Sequence, residues 1–408
     1  RLQMCKRDSP PPSTGGGPRR HARAMQQESD PDAPRQPSAL LTPVLIGSEI
    51  YRHSTYGGKH PLAIARVSTA LDLIRTLGWL APERYRDSPM ATPEQLARFH
   101  TPDYIAALRR AEAEQAADEA VRERHHLGAH GNPIYREVFR RPATGAGGAI
   151  LAARLVRHGG IAHVPGAGTH HAMPDRASGF CYVNDVALGI FALVDAGLER
   201  VLYVDIDAHH GDGVELAFHD DPRVFTLSVH EANRWPRTGK AEDRAGGHAR
   251  NIPVPEGFND SEMDWVLRNA ILPIARHLRP QAIVLQCGSD ALEEDPLSRL
   301  ALSNNSHFAV ARALRGLSPR LIVTGGGGYN PWSVGRCWAG VWATLNDLPI
   351  PARLPPAAEA VLRGLSWFRA AGREPPEHWF TTLRDPPRAG PVRAEIRELC
   401  AITLRDLP

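Results

Sequence analysis

Residues 201–213 read Val-Leu-Tyr-Val-Asp-Ile-Asp-Ala-His-His-Gly-Asp-Gly. The opening apolar run, Val201–Ile206, has the length and composition of a strand buried on both faces, the signature of a parallel sheet. It ends in Asp205, Asp207, His209, His210 and Asp212, all within eight residues. Charged groups at a buried strand end need partners or a metal ion to offset their desolvation. Asp207 and His209 are two apart and point to one face of an extended backbone. That spacing suits two ligands of one ion, although the pair could instead bond to each other or cap the next helix.

Further short apolar runs lie outward from this one, at Val224–Val229, Ala282–Gln286 and Leu321–Thr324. Helical patterns fall between them at Asn184–Ala196, Glu262–Leu278 and Asn304–Leu314, and earlier at Arg66–Trp79, Pro102–Val121 and Thr144–His158. Strand–helix alternation of this kind predicts an α/β fold, a mostly parallel sheet with helices on both faces. Sites in such sheets form at the carboxyl ends of the strands. Accordingly, Ala282–Gln286 runs into Cys-Gly-Ser-Asp290. Asp207, His209 and Asp290 then offer three N/O ligands with an open position, the pattern of a catalytic metal site.

Two further segments carry chemistry. A Gly-rich loop from Gly166 holds the adjacent histidines His170 and His171. Asp205 and Asp212 are carboxylates the metal does not need, and an imidazole oriented by a carboxylate gains a fixed tautomer and a raised pKa. Two such dyads are expected. The run Gly325-Gly-Gly-Gly-Tyr329 lacks the Gly-Lys-Ser/Thr of a phosphate loop. Its tyrosine could donate to a developing oxyanion.

The chain has 408 residues, 42% hydrophobic and 23% charged, with a formal charge of +3. Residues 1–40 hold seven Lys or Arg against four Asp or Glu, so the excess belongs to that end. Residues 1–42, rich in Pro, Gly, Ser and charge, are expected to be a disordered tail. With no basic stripe on the remainder, no nucleic-acid partner is expected. No stretch approaches the ~18 apolar residues of a membrane span. The absence of a secretory pattern predicts a cytoplasmic protein with no membrane partner. Five dispersed cysteines predict reduced thiols, with Cys287 and Cys337 as small buried hydrophobes. Residues 43–370 are expected to form the catalytic domain and 371–408 a C-terminal extension, with a helical pattern at Ala357–Leu365.

The segments GTHHAMPDRASGFC (168–181), YVDIDAHHGDG (203–213), QCGSDALEEDPLSRLALSN (286–304) and GGGGYNPW (325–332) together resemble the histone deacetylase superfamily. The similarity covers about residues 45–346 and is most like the bacterial acetoin-utilisation-type deacetylases. The resemblance implies a single arginase/deacetylase-like domain with about eight strands. It implies one zinc ion (ferrous iron being the alternative) on Asp207, His209 and Asp290. His171 would be general base and acid, oriented by Asp212, and His170 its partner, oriented by Asp205. Tyr329 would polarise the acetyl carbonyl. Phe180 and Trp235 would wall the acyl-lysine tunnel, Gly179 would accept the substrate amide, and Arg66 would lie below the pocket. A structural potassium ion would take the carbonyls of Asp205, Asp207 and His209 with Ser228.

The implied activity is hydrolysis of acetyl-lysine on an acetylated protein, an acetyl-CoA synthetase-like target being the expectation. Two departures make the rim less acidic: His130-Gly131-Asn132-Pro133 where the family often has Asp-Asn-Pro, and Arg237 in Trp235-Pro-Arg-Thr-Gly. Acetylated polyamines are the alternative substrate, and a non-catalytic acetyl-lysine binding module is a second alternative. A binuclear ureohydrolase-type centre is disfavoured, since Gly211 and Leu292 stand where a second ion would need carboxylates.

Overall fold

The strands at the centre of this molecule are apolar runs too short to be stable alone, and they form one parallel sheet. The computed structural model describes residues 42–408; the tail expected over residues 1–42 lies outside them, apart from Thr42. The strands are β1 (Val44–Gly47), β2 (Tyr85–Asp87), β3 (Gly160–Val164), β4 (Val201–Asp205), β5 (Val224–Glu231), β6 (Ala249–Val254), β7 (Ala282–Gln286) and β8 (Arg320–Thr324). Their order is β2-β1-β3-β8-β7-β4-β5-β6, and every pairing is parallel.

Alternation along each strand feeds two cores. Leu202, Val204, Phe225, Leu227, Ile283, Leu285, Leu321 and Val323 face one layer of helices. Val201, Tyr203, Ala282, Val284 and Ile322 face the other, formed chiefly by helices Arg140–Leu155 and Asp185–Asp195. Each aliphatic side chain so buried contributes about 1.5–3 kcal/mol. Because β3, β8, β7 and β4 are neighbours, the loops leaving their carboxyl ends are neighbours too. Those loops carry the four quoted motifs, which is how Gly168 and Tyr329 come to share one site.

Several helices differ from the sequence reading. The helix expected over Pro102–Val121 breaks after Glu114, where Gln115 turns left-handed, and a second helix, Glu119–His125, starts on the Asp118 cap (Val121 N–H to Oδ1, 2.8 Å). Glu262–Leu278 starts at Asp260 on an Asn259–Glu262 capping box. It then widens to a π-turn over Leu267–Ile271 just before Pro273, whose missing N–H the ordinary ladder could not use. Helices Arg140–Leu155 and Val67–Thr76 are shifted or shortened at their ends relative to expectation.

The last forty residues pack onto this body. Trp332 stacks on Trp379 at 5.2 Å, and Trp379, Leu383, Ile396 and Cys400 belong to the larger core. On the edge strand β6, buried Arg250 donates to the carbonyls of Thr403, Arg405 and Asp406 at 3.0, 3.1 and 2.6 Å. The C-terminal helix Ala394–Thr403 thereby covers that edge. Cys181, Cys287, Cys337 and Cys400 are buried and unpaired. No described helix is long and apolar enough to cross a membrane.

One buried ion pair ties this segment down. Arg336 Nη2 lies 2.7 Å from Asp385 Oδ1, with both side chains essentially inaccessible. Arg336→Met should destabilise the fold by about 3–5 kcal/mol, because Asp385 loses its cation inside the protein. Chemical denaturation checks this; a near wild-type midpoint would contradict it.

Candidate active site

The strand read as Val201–Ile206 stops at Asp205, so Asp207 and His209 lie in the loop beyond it rather than on a pleated strand. Hydrogen bonds, not pleating, aim them. Asp207 N–H donates to Asp205 Oδ1 (3.0 Å), His209 N–H to Asp207 Oδ1 (3.0 Å), and Ala208 N–H to Asp290 Oδ1 (2.8 Å). His209 Nδ1 lies 2.9 Å from Asp290 Oδ2 and 3.3 Å from Asp207 Oδ1. Asp207 Oδ2 also accepts from Gln286 Nε2 (2.9 Å) and Gly327 N–H (2.8 Å). One ligand atom from each of Asp207, His209 and Asp290 falls within 4.8 Å of the others, and all three residues are buried.

The donor set fits one divalent cation. Two carboxylates with only one imidazole between them carry excess negative charge in a dry place, which a cation offsets. Their surroundings leave room for it. A Cβ at Gly288 would collide with the Asp207 carboxylate, and one at Gly327 with that of Asp290. Gly211 and Leu292 supply no further carboxylate.

His170 and His171 stand beside this trio with ring centroids 3.9 Å apart. His170 Nδ1 is 2.7 Å from Asp205 Oδ2, which also accepts from the Tyr203 hydroxyl (2.6 Å), and His171 Nδ1 is 2.8 Å from Asp212 Oδ1. The two dyads form, but they do not titrate alike. Burial pulls His170 down, yet the charges of Asp205 and Asp207 outweigh it and raise it to about 9. Burial also lowers His171, and the neighbouring His170 charge lowers it further, to about 4 despite Asp212. The raised pKa expected for both dyads therefore holds for His170 alone, since adjacent rings oppose a second positive charge.

Tyr329 faces the same space. Its backbone N–H donates to Asp295 Oδ2 at 2.7 Å. Burial, with the charges of Asp290 and Asp207, pushes the phenol well above its ordinary pKa and keeps it a donor. A cavity of about 440 Å³ is lined by His171, Gly179, Phe180, His209, Trp235 and Tyr329, with His126 and His130 towards the outside. Trp235, 45% exposed, meets His171 edge-on at 4.7 Å, and Phe180 meets Tyr329 edge-on at 6.0 Å. Gly179 has φ +53°, and a Cβ there would enter the Trp235 and His171 rings. Phe180, left-handed at φ +66°, is held by Tyr56 (hydroxyl to Phe180 O, 3.0 Å) and Asn132 (Phe180 N–H to Oδ1, 2.9 Å).

Beneath lies a smaller cavity of about 60 Å³, lined by Arg66, Tyr51, Arg141, Asp185 and His170 among others. Arg66 donates to Gly326 O (2.8 Å) and Gly328 O (3.3 Å), bracing the glycine loop before Tyr329. Ser228 sits in register with Asp205 on the adjacent strand, its Oγ 2.8 Å from His230 Nδ1.

At the rim, Gly131 has φ +81° and its carbonyl meets His60 Nε2 at 3.0 Å. No carboxylate lines the larger cavity among the described residues. Arg234 is matched by Glu231 (2.8 and 2.7 Å), while Arg237 is exposed.

Sequence reading passed over several supports. Gln286 was signalled by a polar residue closing an apolar strand, and Asp295 by its place in the segment after Asp290. Tyr56 carried no such signal.

Residues 60–345 match the family described as Histone deacetylase domain. The chain is 37% identical over 309 residues to Histone deacetylase 9 of Arabidopsis thaliana, covering 74% of this chain and 72% of that one. It is 33% identical over 327 residues to Acetoin utilization protein AcuC of Bacillus subtilis (strain 168), covering 77% and 84%. It spans only 57% of Histone deacetylase 2 of Oryza sativa subsp. japonica. The crystal structure of an HDAC homolog from Aquifex aeolicus superposes with a TM-score of 0.84 at 34% identity, over 88% of this chain and 99% of that one. A domain match over residues 60–345, carried on the fold of a solved homologue, places the chain in the histone deacetylase family.

Proposed function

We propose that this protein is a zinc-dependent lysine deacetylase that removes acetyl groups from lysine side chains of cytoplasmic proteins. The target would be an acetylated enzyme such as an acetyl-CoA synthetase, and ferrous iron is the alternative metal. The observation that carries this reading is that His209 of the Asp207–His209–Asp290 trio, His171 paired with Asp212, and the hydroxyl-bearing Tyr329 line one cavity.

Asp207, His209 and Asp290 would hold the ion, which when bound activates water and polarises the acyl carbonyl. His171 is neutral at physiological pH and has Nδ1 committed to Asp212. Its Nε2 can therefore take a proton from the attacking water and return it to the leaving amine. His170, hydrogen-bonded to Asp205 and 3.8 Å from Asp207, sets its ring beside the negative charge as it develops. Tyr329 donates to the oxyanion from the opposite side. Phe180 and Trp235 would clasp the lysine methylenes and exclude water, and the Gly179 carbonyl would take the substrate amide. Arg66 fixes the glycine loop that carries Tyr329. A potassium ion on the carbonyls of Asp205, Asp207 and His209 with Ser228 would stiffen the strand ends; the Asp205–Ser228 register supports this.

The carboxylate-free cavity favours an acylated protein over an acetylated polyamine, whose free amines would seek acidic partners. A binding-only role is disfavoured because the proton acceptor and the donor are both in place.

Tyr329→Phe should lower kcat by about 10²–10³, the usual cost of one oxyanion donor; near wild-type turnover would remove Tyr329 from the mechanism. Chelation should abolish hydrolysis, and titrating zinc or ferrous iron back should restore it at one equivalent per chain. A requirement for two equivalents would overturn the single-ion reading. Gly327→Ala should stay folded by circular dichroism but lose metal affinity, because its Cβ displaces the Asp290 carboxylate. Steady-state comparison of acetyl-lysine peptides with acetylated polyamines should favour the peptides in kcat/KM, and the reverse order would reassign the substrate.

A further inference from the structure

We infer that the C-terminal segment around Arg388, outside the matched family domain of residues 60–345, is a working part of the active site. Arg388 acts as a positioning residue that clamps the loop holding the backbone of Tyr329. The inference rests on Tyr329 serving as the oxyanion donor.

The loop begins just past Asp290. Asp295 accepts from Tyr329 N–H (2.7 Å) with one oxygen and from Leu297 N–H (2.9 Å) with the other. The Glu294 carbonyl accepts from Asn330 Nδ2 (3.4 Å). Two consecutive residues of this loop thus hold two consecutive residues at the tyrosine. The side chains of Glu293 and Glu294 turn away from the site, and both pair with Arg388, Glu294 at 2.7 Å.

Arg388 is itself anchored through its backbone. Its N–H donates to Asp260 Oδ2 (2.7 Å), and its carbonyl accepts from Asp260 N–H (3.0 Å). Three residues earlier, Asp385 makes the buried pair with Arg336. Arg336 lies on helix Pro331–Leu345, which starts directly after Asn330. Residues 385–388 therefore bind both elements that flank Tyr329, the acidic loop on one side and the helix on the other.

Charge explains why the clamp matters. Glu293, Glu294, Asp295 and Asp385 gather here. Glu294, only 13% exposed at its side chain, has no cation other than Arg388 among its ion pairs. Burial and the neighbouring Asp385 push the Glu294 carboxyl up to about 7, so without the guanidinium it is left unpaired and unanchored. The loop is then free to carry Glu294 towards water, and Asp295 with it.

The test uses the full chain with its metal restored and an acetyl-lysine peptide. Arg388→Ala should lower kcat roughly tenfold, within the ~10²-fold that a 1 Å misplacement can cost, with KM and metal content unchanged. Arg393→Ala is the control. It breaks a two-point pair with buried Glu262 (2.7 and 2.7 Å) in the same segment, so it should lower thermal stability and leave kcat alone. In a Tyr329→Phe background, Arg388→Ala should cost almost nothing more, since the group it positions is gone. If Arg388→Ala fails to fold, Glu294→Gln weakens the same clamp without stranding a charge and should lower kcat in the same direction. Wild-type kcat in a folded Arg388 variant, or in Glu294→Gln where that variant must stand in, would overturn the inference while leaving the deacetylase reading intact. An equal loss in Arg393→Ala, or a full loss repeated in the Tyr329→Phe background, would do the same. Full activity of Tyr329→Phe itself would overturn both.

Discussion

Two carboxylates, Asp207 and Asp290, sit fully buried at the ends of neighbouring strands β4 and β7 with a single imidazole between them. Burying one unpaired carboxylate is costly, and two side by side call for a shared proton or a cation between them. Much of the surrounding structure serves that arrangement. Gln286 and the Gly327 N–H fix Asp207, the Ala208 N–H fixes Asp290, and Gly288 and Gly327 keep the space clear. The order β3-β8-β7-β4 at the centre of the sheet then brings the histidine pair and Tyr329 to the same point.

The histidines follow from the same electrostatics. His170 touches both Asp205 and Asp207 (3.8 Å), the latter one of the proposed metal trio, whereas His171 has Asp212 alone and the His170 ring beside it. Their pKa values are thereby split, His170 raised to about 9 and His171 lowered to about 4. Spacing in the chain could reveal two carboxylate–histidine dyads but not this division, which depends on the 3.9 Å ring separation.

Other parts were legible to different degrees for physical reasons. Strands β4, β7 and β8 announced themselves because both of their faces are buried, which forces continuous apolar runs ending in polar clusters. The edge strands did not, and neither did interior β1, four residues long, and β3, where Gly160, Ala162 and His163 dilute the apolar run. β2 is Tyr-Arg-Asp, and β6 contains Arg250, Asn251 and Pro253. Their pairing is imposed by neighbours, and in β6 by a C-terminal helix that receives Arg250. The break at Gln115 escaped because a left-handed residue in a polar helix leaves no apolar signature. The candidate metal trio, the histidine pair and Tyr329 came from residue types at strand ends. The supports Tyr56, Asp295 and Arg388 act across long sequence separations that no local pattern encodes.

One ion held by Asp207, His209 and Asp290 is the centre of the proposed chemistry. Anomalous diffraction at the metal absorption edge, on crystals of the metal-loaded protein, tests it most directly. One peak per chain is expected, bounded by these three side chains and facing His171 and Tyr329. Two peaks in the cavity, or a single peak that excludes Asp290, would contradict it.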